Sequence, residues 1–263
     1  MNRFMKKTLW LFLLLGVASY MAVVMNGPVN AAGSQDTMLF AVMESKPFGY
    51  VDNGVSKGIH YEIATELARR TGLKFDLQIL PYMRITNGLK DGSVDAVMMW
   101  RSSERDAYVN YGGFVFTDYT TAITLKSKKA LTAYEDLYTV GTVGTLRGNS
   151  VSDRFTADTQ IKKHEVETYD QLYQMLINGR VDAAVGNVYA YLYLANQSGN
   201  EDLVNFPGLK LGFREQWLQL SKSSKFLKNE TLMKKHIQAM INDGFVSRIN
   251  EKYYGAGFKR IKF

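Results

Sequence analysis

Short apolar runs alternate with amphipathic stretches along most of the chain, and glycines separate many of them. Residues 94–100 form an apolar run interrupted only by Asp95, which is typical of a strand buried on both faces. Residues 85–89 suit a helix that Asp91 and Gly92 end, because glycine tolerates the left-handed backbone found at helix ends. This alternation of helix and strand predicts βαβ units and a mainly parallel sheet.

Similar elements are predicted on both sides of this stretch. Two long extended segments, residues 114–125 and 212–220, are predicted to cross between two lobes. The sequence NGLKDGSVDAVMM in the first half echoes QMLINGRVDAAVG in the second, so two similar α/β lobes are the economical interpretation. We further expect strands at 38–43, 75–80, 138–143, 166–169 and 181–185, and helices at 60–70, 151–155, 169–178, 227–242 and 245–253.

The N-terminus has the order of charged, apolar and small residues that is typical of a secretory signal peptide. Arg3, Lys6 and Lys7 precede a long apolar run, and small residues follow it up to Ala31. We predict cleavage after Ala31 and a periplasmic location, with an uncleaved membrane anchor as the alternative. Residues 1–31 hold 3 of the 32 basic residues and none of the 25 acidic ones, so the processed chain has a formal charge of +4.

The composition argues against several kinds of function. The chain has no cysteine, so neither disulfides nor a cysteine nucleophile are available. It shows no dense run of Lys and Arg with interleaved aromatics, and we therefore expect no nucleic-acid partner. His60, His164 and His236 are scattered without metal-ligand spacing, and no Gly-x-Ser-x-Gly motif is present. We expect no metal, no cofactor and no enzymatic activity.

Several motifs occur together in a characteristic order. Taken together, they resemble the bacterial extracellular solute-binding proteins of family 3, the components of ABC importers that typically bind polar amino acids. The motifs are a Pro-Phe loop at 46–50, a Leu-x-x-Gly-x-Val-Asp turn at 89–95, Ser-Ser-Glu-Arg at 102–105, Glu-Asp-Leu at 135–137, Gly-Arg-Val-Asp-Ala at 179–183, and a closing pattern at 244–255.

The resemblance implies an α/β, two-lobe periplasmic binding protein fold of type II, in which each lobe is a mainly parallel sheet flanked by helices and two hinge segments join the lobes. Lobe 1 is then built from residues 37–117 and 214–263, and lobe 2 from residues 118–213. It implies a monomer that captures a small polar, carboxylate-bearing solute by hinge closure and delivers it to the permease of an ABC importer. A sensor for a membrane receptor and a dehydratase-type enzyme on the same fold are the alternatives.

The resemblance also assigns candidate ligand-binding residues. A guanidinium pairs a carboxylate through two parallel hydrogen bonds. Arg105 matches the arginine of the family's Thr-x-x-Arg motif, which clamps the ligand carboxylate, and Arg84 and Arg101 are further candidates. Backbone N–H groups that open a helix can bind the same anion, and the candidates for that contact are Gly144 and Thr145, or Gly148 and Asn149.

Aromatic side chains are expected to form the walls of the site, and Phe48, Tyr82 and Trp100 match or lie close to such positions of the family. Members that bind amino acids usually carry an Asp after the second-lobe strand, where it pairs the ligand ammonium. This chain has Asn187 there, and an amide lacks the charge. A solute with a carboxylate and no ammonium, or another polar solute, is therefore an alternative to an amino acid.

Overall fold

The structure is a computed structural model that describes residues 36–147 and 151–261. The predicted signal peptide and the predicted turn at residues 148–149 lie outside these ranges. A search of the described part of the chain for a helix both long enough and apolar enough to span a membrane found none.

The described residues form strands and helices that alternate along much of the chain. The strands are β1 (Met38–Met43), β2 (Tyr50–Asp52), β3 (Val55–Lys57), β4 (Phe75–Leu80), β5 (Ala96–Trp100), β6 (Val109–Ile123), β7 (Val143–Leu146), β8 (Lys163–Val166), β9 (Ala183–Asn187) and β10 (Leu209–Ser221). The helices are α1 (Ile59–Thr71), α2 (Tyr82–Asp91), α3 (Asp153–Ala157), α4 (Tyr169–Ile177), α5 (Val188–Ser198), α6 (Glu230–Asn242) and α7 (Phe245–Tyr254).

One sheet has the strand order β4-β1-β5-β10-β6-β9-β7-β8, and β2 and β3 form a separate hairpin. Strands β4, β1 and β5, here called the first triplet, are parallel to one another. Strands β8, β7 and β9, the second triplet, are also parallel. Strands β6 and β10, the central pair, are antiparallel to each other and to the triplet strands that flank them. The sheet confirms the predicted α/β class, with two similar parallel groups joined by two long strands.

The aspartates of the repeated Val-Asp-Ala sequence make equivalent hydrogen bonds in both triplets. Asp95 accepts the backbone N–H of Leu39 through Oδ2 at 2.8 Å, and its own N–H donates to the Leu39 carbonyl at 3.0 Å. Asp182 makes the equivalent pair of bonds with Thr142, at 2.9 Å and 2.8 Å. Each aspartate therefore fastens the start of the strand in the middle of its triplet, which explains why the two segments share a sequence.

Helices cover both faces of each triplet, as expected for strands with few polar residues. Alternate residues of β1 point to opposite faces: Phe40 belongs to the cluster that includes α1 and α6, whereas Ala41 packs in the cluster with Ile85 of α2. In the second triplet Ala184 packs in the cluster with Leu172 of α4. Helix α5 contributes side chains both to the hydrophobic cluster around the first triplet and to the one around the second, so it links the two cores.

The prediction of a strand at residues 138–143 is wrong. The chain forms a 3-10 turn at Tyr134–Tyr138, and the strand begins only at Val143. The turn is stabilised locally because one carboxylate oxygen of Asp136 accepts two backbone N–H groups that precede it. The strand therefore ends further along the chain than the apolar pattern predicts, and this shifts the residues that reach the sheet edge.

Two other elements also differ from the prediction. The strand predicted at 166–169 is found at Lys163–Val166, because the Thr168 hydroxyl accepts the N–H of Gln171 at 3.1 Å and begins helix α4. Helix α5 is not predicted by the hydrophobic pattern, since its apolar residues show no clear helical period. Its start is marked instead by the cap residue Asn187. The remaining predicted elements are present with ends shifted by a few residues.

Removal of the Asp95 carboxylate is expected to destabilise the fold. The variant Asp95→Ala leaves the N–H of Leu39 and the hydroxyl of Ser224, which donates to Asp95 Oδ1 at 2.5 Å, without their acceptor. We expect a loss of about 1–3 kcal/mol in the free energy of unfolding, measured by urea denaturation. Asp182→Ala should cost less, because the backbone N–H of Thr142 is the group that loses its acceptor.

Asp76→Ala is the matched control for this prediction. Asp76 is exposed on β4, and its carboxylate accepts a hydrogen bond from the side-chain amide of Gln78 at 2.7 Å. We expect a change within about 0.5 kcal/mol. An Asp95→Ala protein as stable as Asp76→Ala would contradict the role given to the strand-fastening carboxylate.

Candidate functional site

A cavity of about 380 Å³ lies where the strands of both triplets reach their carboxyl ends. This is the edge at which open α/β sheets bind ligands. One wall of the cavity is built by residues around the first triplet, here called the first half, and the other by residues around the second triplet, the second half. The central pair runs between the two walls. The side chains that the two triplets and the segments after them contribute include Phe48, Tyr82 and Trp100 from the first half, and Arg147, Tyr169 and Asn187 from the second.

One face of the central pair lines the cavity with polar side chains. Asp118 of β6 lies directly opposite Arg214 of β10 in the antiparallel register. Residues two apart on a strand share a face, so Thr120 and Gln216 lie on the same side as this charged pair. All four of these side chains line the cavity.

Asp118 is a carboxylate held away from water. It is 5 % exposed, and its Oδ2 accepts a hydrogen bond from the side-chain amide of Gln216. Among the described residues, Asp118 Oδ1 and Gln216 Oε1 have no hydrogen-bond partner. Burial raises the pKa of Asp118 to about 6, although the side chains of Gln216 and Asn187 and the charge of Arg214 act in the opposite direction.

An aromatic pair forms part of the first-half wall. The rings of Tyr82 and Trp100 are stacked with centroids 5.7 Å apart and planes inclined by 7°. The Arg214 guanidinium carbon lies 5.8 Å from the Trp100 ring centroid, so a cation–π contact joins the central pair to this wall.

Arg105 supports the aromatic pair and is not among the residues that line the cavity. Its side chain is buried, and all three of its nitrogen atoms donate hydrogen bonds within the protein. Nε donates to Gln219 Oε1 at 3.0 Å, Nη1 to the Tyr82 hydroxyl at 3.3 Å, and Nη2 to the Trp100 carbonyl. The structure therefore places Arg105 where it fixes the positions of Tyr82 and Trp100.

The other two predicted arginines also lie outside the cavity lining. Arg84 is exposed on α2. Arg101 is exposed beyond the end of β5, where its guanidinium carbon lies 4.5 Å from the centroid of the Tyr111 ring and 5.9 Å from that of Trp217. Of the predicted site residues, the structure brings Phe48, Tyr82, Trp100 and Asn187 to the cavity.

Gly144 and Thr145 lie within β7 and do not reach the cavity. A Cβ atom on Gly144 would lie 2.4 Å from the Leu172 side chain, so the glycine is required for packing against α4. The next two residues, Leu146 and Arg147, do line the cavity. The late start of β7 accounts for this shift, because it moves the carboxyl end of the strand along the sequence.

Asn187 uses its carbonyl oxygen to begin helix α5. Oδ1 accepts the backbone N–H groups of Tyr189 and Ala190 at 2.8 Å and 3.1 Å, and the Asn187 backbone N–H donates to the Tyr169 hydroxyl at 2.9 Å. With Oδ1 engaged, the free end of this amide is its NH₂ group, which can only donate. The side chain of Asn187 can therefore donate a hydrogen bond that favours the ionised form of Asp118. Its carbonyl oxygen is not available to accept a hydrogen bond from an ammonium.

Asp118, Arg214 and Gln216 are among the cavity residues that the sequence does not reveal as site residues. Polar residues two apart in an extended segment indicate one polar face, and both β6 and β10 carry such a pattern at these positions. That pattern could have indicated a shared polar surface. It could not have shown that Asp118 and Arg214 face each other, because register between distant strands depends on the fold.

Comparisons with known proteins identify relatives of the chain. The sequence profile of the bacterial extracellular solute-binding proteins, family 3, matches residues 39–256. The L-cystine-binding protein TcyA of Bacillus subtilis is 25% identical over 80% of this chain and 78% of its own length. The probable amino-acid-binding protein YxeM of the same organism is 22% identical over 95% of this chain and 96% of its own length.

A solved structure supports the same fold. An ancestral cationic amino acid solute-binding protein superposes with a TM-score of 0.70 and 22% sequence identity. The match covers 83% of this chain and 95% of that protein. At this level of identity the similarity concerns the fold alone.

Asp118→Asn is expected to stabilise the ligand-free protein at neutral pH. Because the folded-state pKa of Asp118 is raised, the native state holds its proton more tightly than the unfolded state, and the stability from this group is lost as pH rises through about 6. An amide avoids that loss. We expect the variant to gain on the order of 2–3 kcal/mol over the wild type near neutral pH, and the gain to shrink as pH falls toward about 4.

Urea denaturation of both proteins across this pH range measures the effect. Glu44→Gln serves as the control, because Glu44 is an exposed carboxylate that lines the same cavity. We expect that control to show no comparable gain. A loss of stability in Asp118→Asn near neutral pH would contradict the account of a desolvated carboxylate.

Proposed function

The chain belongs to the bacterial extracellular solute-binding proteins, family 3, and on this premise we propose that its cavity captures a small polar solute by closure of two lobes. The solute carries a carboxylate and is an amino acid or a related organic anion. The closed form then presents the solute to the membrane permease of an ABC importer at the outer side of the membrane. The amino-acid names of the Bacillus subtilis relatives support the solute class.

The observation that carries this proposal is the position of the cavity across the central pair. Strand β10 pairs with β5 over residues 216–220, and β6 pairs with β9 over residues 120–123. Between these stretches, Asp118 and Tyr119 pair with Arg214 and Phe213, and no third strand pairs with them among the described residues. A bend at this point would move the triplets toward each other around the cavity, and we place the hinge and the lobe boundaries here.

Closure requires that the solute bind one arrangement of the lobes better than another. A solute in this cavity has first-half and second-half walls within reach, so it can bind both lobes at once when they are close. The Tyr82–Trp100 pair offers an apolar surface that excludes water, and Arg147 and Asn187 offer polar groups from the other side.

Arg214 is the residue to which we assign the solute carboxylate. It lines the cavity and stands beside Trp100, whereas Arg105 lies behind that ring. Arg147, which pairs with Glu167 at 2.5 Å, lines the second-half side of the cavity. In this proposal Arg105, which the sequence predicts as the carboxylate clamp, acts by holding Tyr82 and Trp100 in place.

A thermal-shift screen tests the proposed function. The panel contains amino acids, dicarboxylates, other organic anions, amines and short peptides. A solute at about 100 times its dissociation constant adds about 2.7 kcal/mol of stability, which gives a clear rise in melting temperature. We expect stabilisation by one or more carboxylate-bearing solutes. Stabilisation by none of them would contradict the proposed solute class.

Arg214→Gln is expected to weaken binding of the carboxylate-bearing solute by at least about tenfold in calorimetry, because it removes the charge assigned to the carboxylate. Arg84→Gln is the matched control, since Arg84 is exposed on α2 and outside the cavity lining. We expect its affinity to stay within about twofold of the wild type. Equal affinities for the two variants would remove Arg214 from the binding site.

A further inference from the structure

We propose that Asp118 and Gln216 form the receptor for a cationic group of the solute, so that the cavity selects solutes with a protonated amine. The inference rests on the proposed function, because it requires that the cavity take up a solute. It identifies Asp118 as a specificity-determining residue and resolves the choice between an amino acid and an anion without an ammonium.

Two buried acceptor oxygens in this region could bind a donor group of the solute. Asp118 Oδ1 and Gln216 Oε1 are both buried and have no hydrogen-bond partner among the described residues. Both side chains line the cavity, and the amide of Gln216 is tied to the other oxygen of Asp118. A buried acceptor without a donor destabilises the protein, so the site favours a solute group that donates hydrogen bonds.

The charge of Asp118 favours a cationic donor over a neutral one. A cation close to a carboxylate in a poorly solvated site interacts with it far more strongly than it would in water. An ammonium also has three N–H donors, enough to bind Asp118 and Gln216 at the same time. A neutral hydroxyl has a single donor and would leave one of the two oxygens without a partner.

The cross-strand position of Arg214 fits a solute with charges of both signs. Arg214 and Asp118 face each other in the register of the central pair, and both line the cavity. An ammonium at Asp118 and a carboxylate at Arg214 would each face a charge of opposite sign on neighbouring strands. The spacing of one strand pair suits the short distance between the amine and carboxyl groups of an α-amino acid.

The other carboxylates that line the cavity are less suited to this role. Glu44 and Glu167 are exposed, and Glu167 pairs with Arg147 at 2.5 Å. Asn187 has its carbonyl oxygen engaged at the start of α5, so it cannot accept from the solute in this arrangement. Asp118 is therefore the best acceptor for a cation among the described residues of the cavity.

The proposal predicts that affinity depends on the protonation of Asp118. A cation binds the ionised carboxylate, so affinity falls as pH drops through the pKa of about 6. The charged or titratable groups near Asp118 are Arg214, Tyr189 and Tyr254, and burial raises the pKa of both tyrosines. The cavity also contains Glu44, Lys46, Arg147 and Glu167. Their titration is common to the wild type and an Asp118 variant, so a comparison of the two pH profiles isolates Asp118.

Calorimetric titrations with matched pairs of probes test the proposal. The probes are alanine, phenylalanine and aspartate, their α-hydroxy counterparts lactate, phenyllactate and malate, the remaining standard L-amino acids, and cadaverine as an amine without a carboxylate. Each α-hydroxy acid carries a hydroxyl in place of the ammonium. Titrations use the wild type, Asp118→Asn and the control Asp76→Asn, at about pH 7.5 and about pH 5. Asp76 is exposed on β4 and lies outside the cavity lining. Thermal melts confirm that each variant is folded.

We expect the wild type to bind an amine-bearing probe and to lose about tenfold in affinity between about pH 7.5 and about pH 5, because the ionised fraction of a group with a pKa of about 6 falls by that factor. In Asp118→Asn the affinity for that probe should drop by at least about tenfold near pH 7.5, and the Asp118-dependent part of the pH profile should vanish. Asp76→Asn should stay within about twofold of the wild type. The wild type should also prefer an amino acid that it binds over the matched α-hydroxy acid.

Three outcomes would overturn the proposal. Unchanged affinity in Asp118→Asn would remove Asp118 from recognition while leaving solute binding intact. Binding of probes without an amine, with no preference for the amine-bearing partners, would show an anion-binding site and would also leave the proposed function standing. Failure of the wild type to bind any probe would overturn both the cation receptor and the proposed amino-acid class.

Discussion

The pairing of β6 with β10 is the constraint on which the rest of the molecule depends. These two strands pair with each other from Leu209↔Ala122 to Ser221↔Val109, and each also pairs with one triplet. Their register decides which side chains face the cavity, because alternate residues of a strand share a face. A slip of one residue in β6 would turn Asp118 away from the cavity, and the same slip in β10 would turn Gln216 away. The same pairing thus holds the two halves together and builds the polar surface between them.

The site combines groups that stabilise the fold with groups that lower its stability. Arg105 donates three hydrogen bonds and fixes the aromatic wall. Asp118 is desolvated, and one of its oxygens has no partner among the described residues. Such groups are commonly kept at functional sites, where a ligand completes the hydrogen bonding. We interpret the two oxygens of Asp118 and Gln216 that have no partner among the described residues as the source of both affinity and selectivity.

The sequence predicts the architecture better than the site. The two parallel groups, the two long crossing strands and the repeated aspartates follow from local patterns, because apolar period and glycine position directly reflect strands and helix ends. Phe48, Tyr82, Trp100 and Asn187 are also brought to the cavity. The position of Arg105 depends on partners more than 20 residues away in sequence, and the facing of Asp118 and Arg214 depends on strand register. Neither is encoded in a local pattern.

Closure of the two lobes is tested most directly by a distance measurement across the cavity. The chain has no cysteine, so Asn87→Cys on α2 and Gln174→Cys on α4 introduce the two labelling sites. Both positions are exposed. Energy transfer between dyes at these sites is measured with and without a solute whose binding calorimetry has established. We expect the solute to bring the two labels closer together. An unchanged distance with the solute bound would contradict closure of two lobes about the central pair.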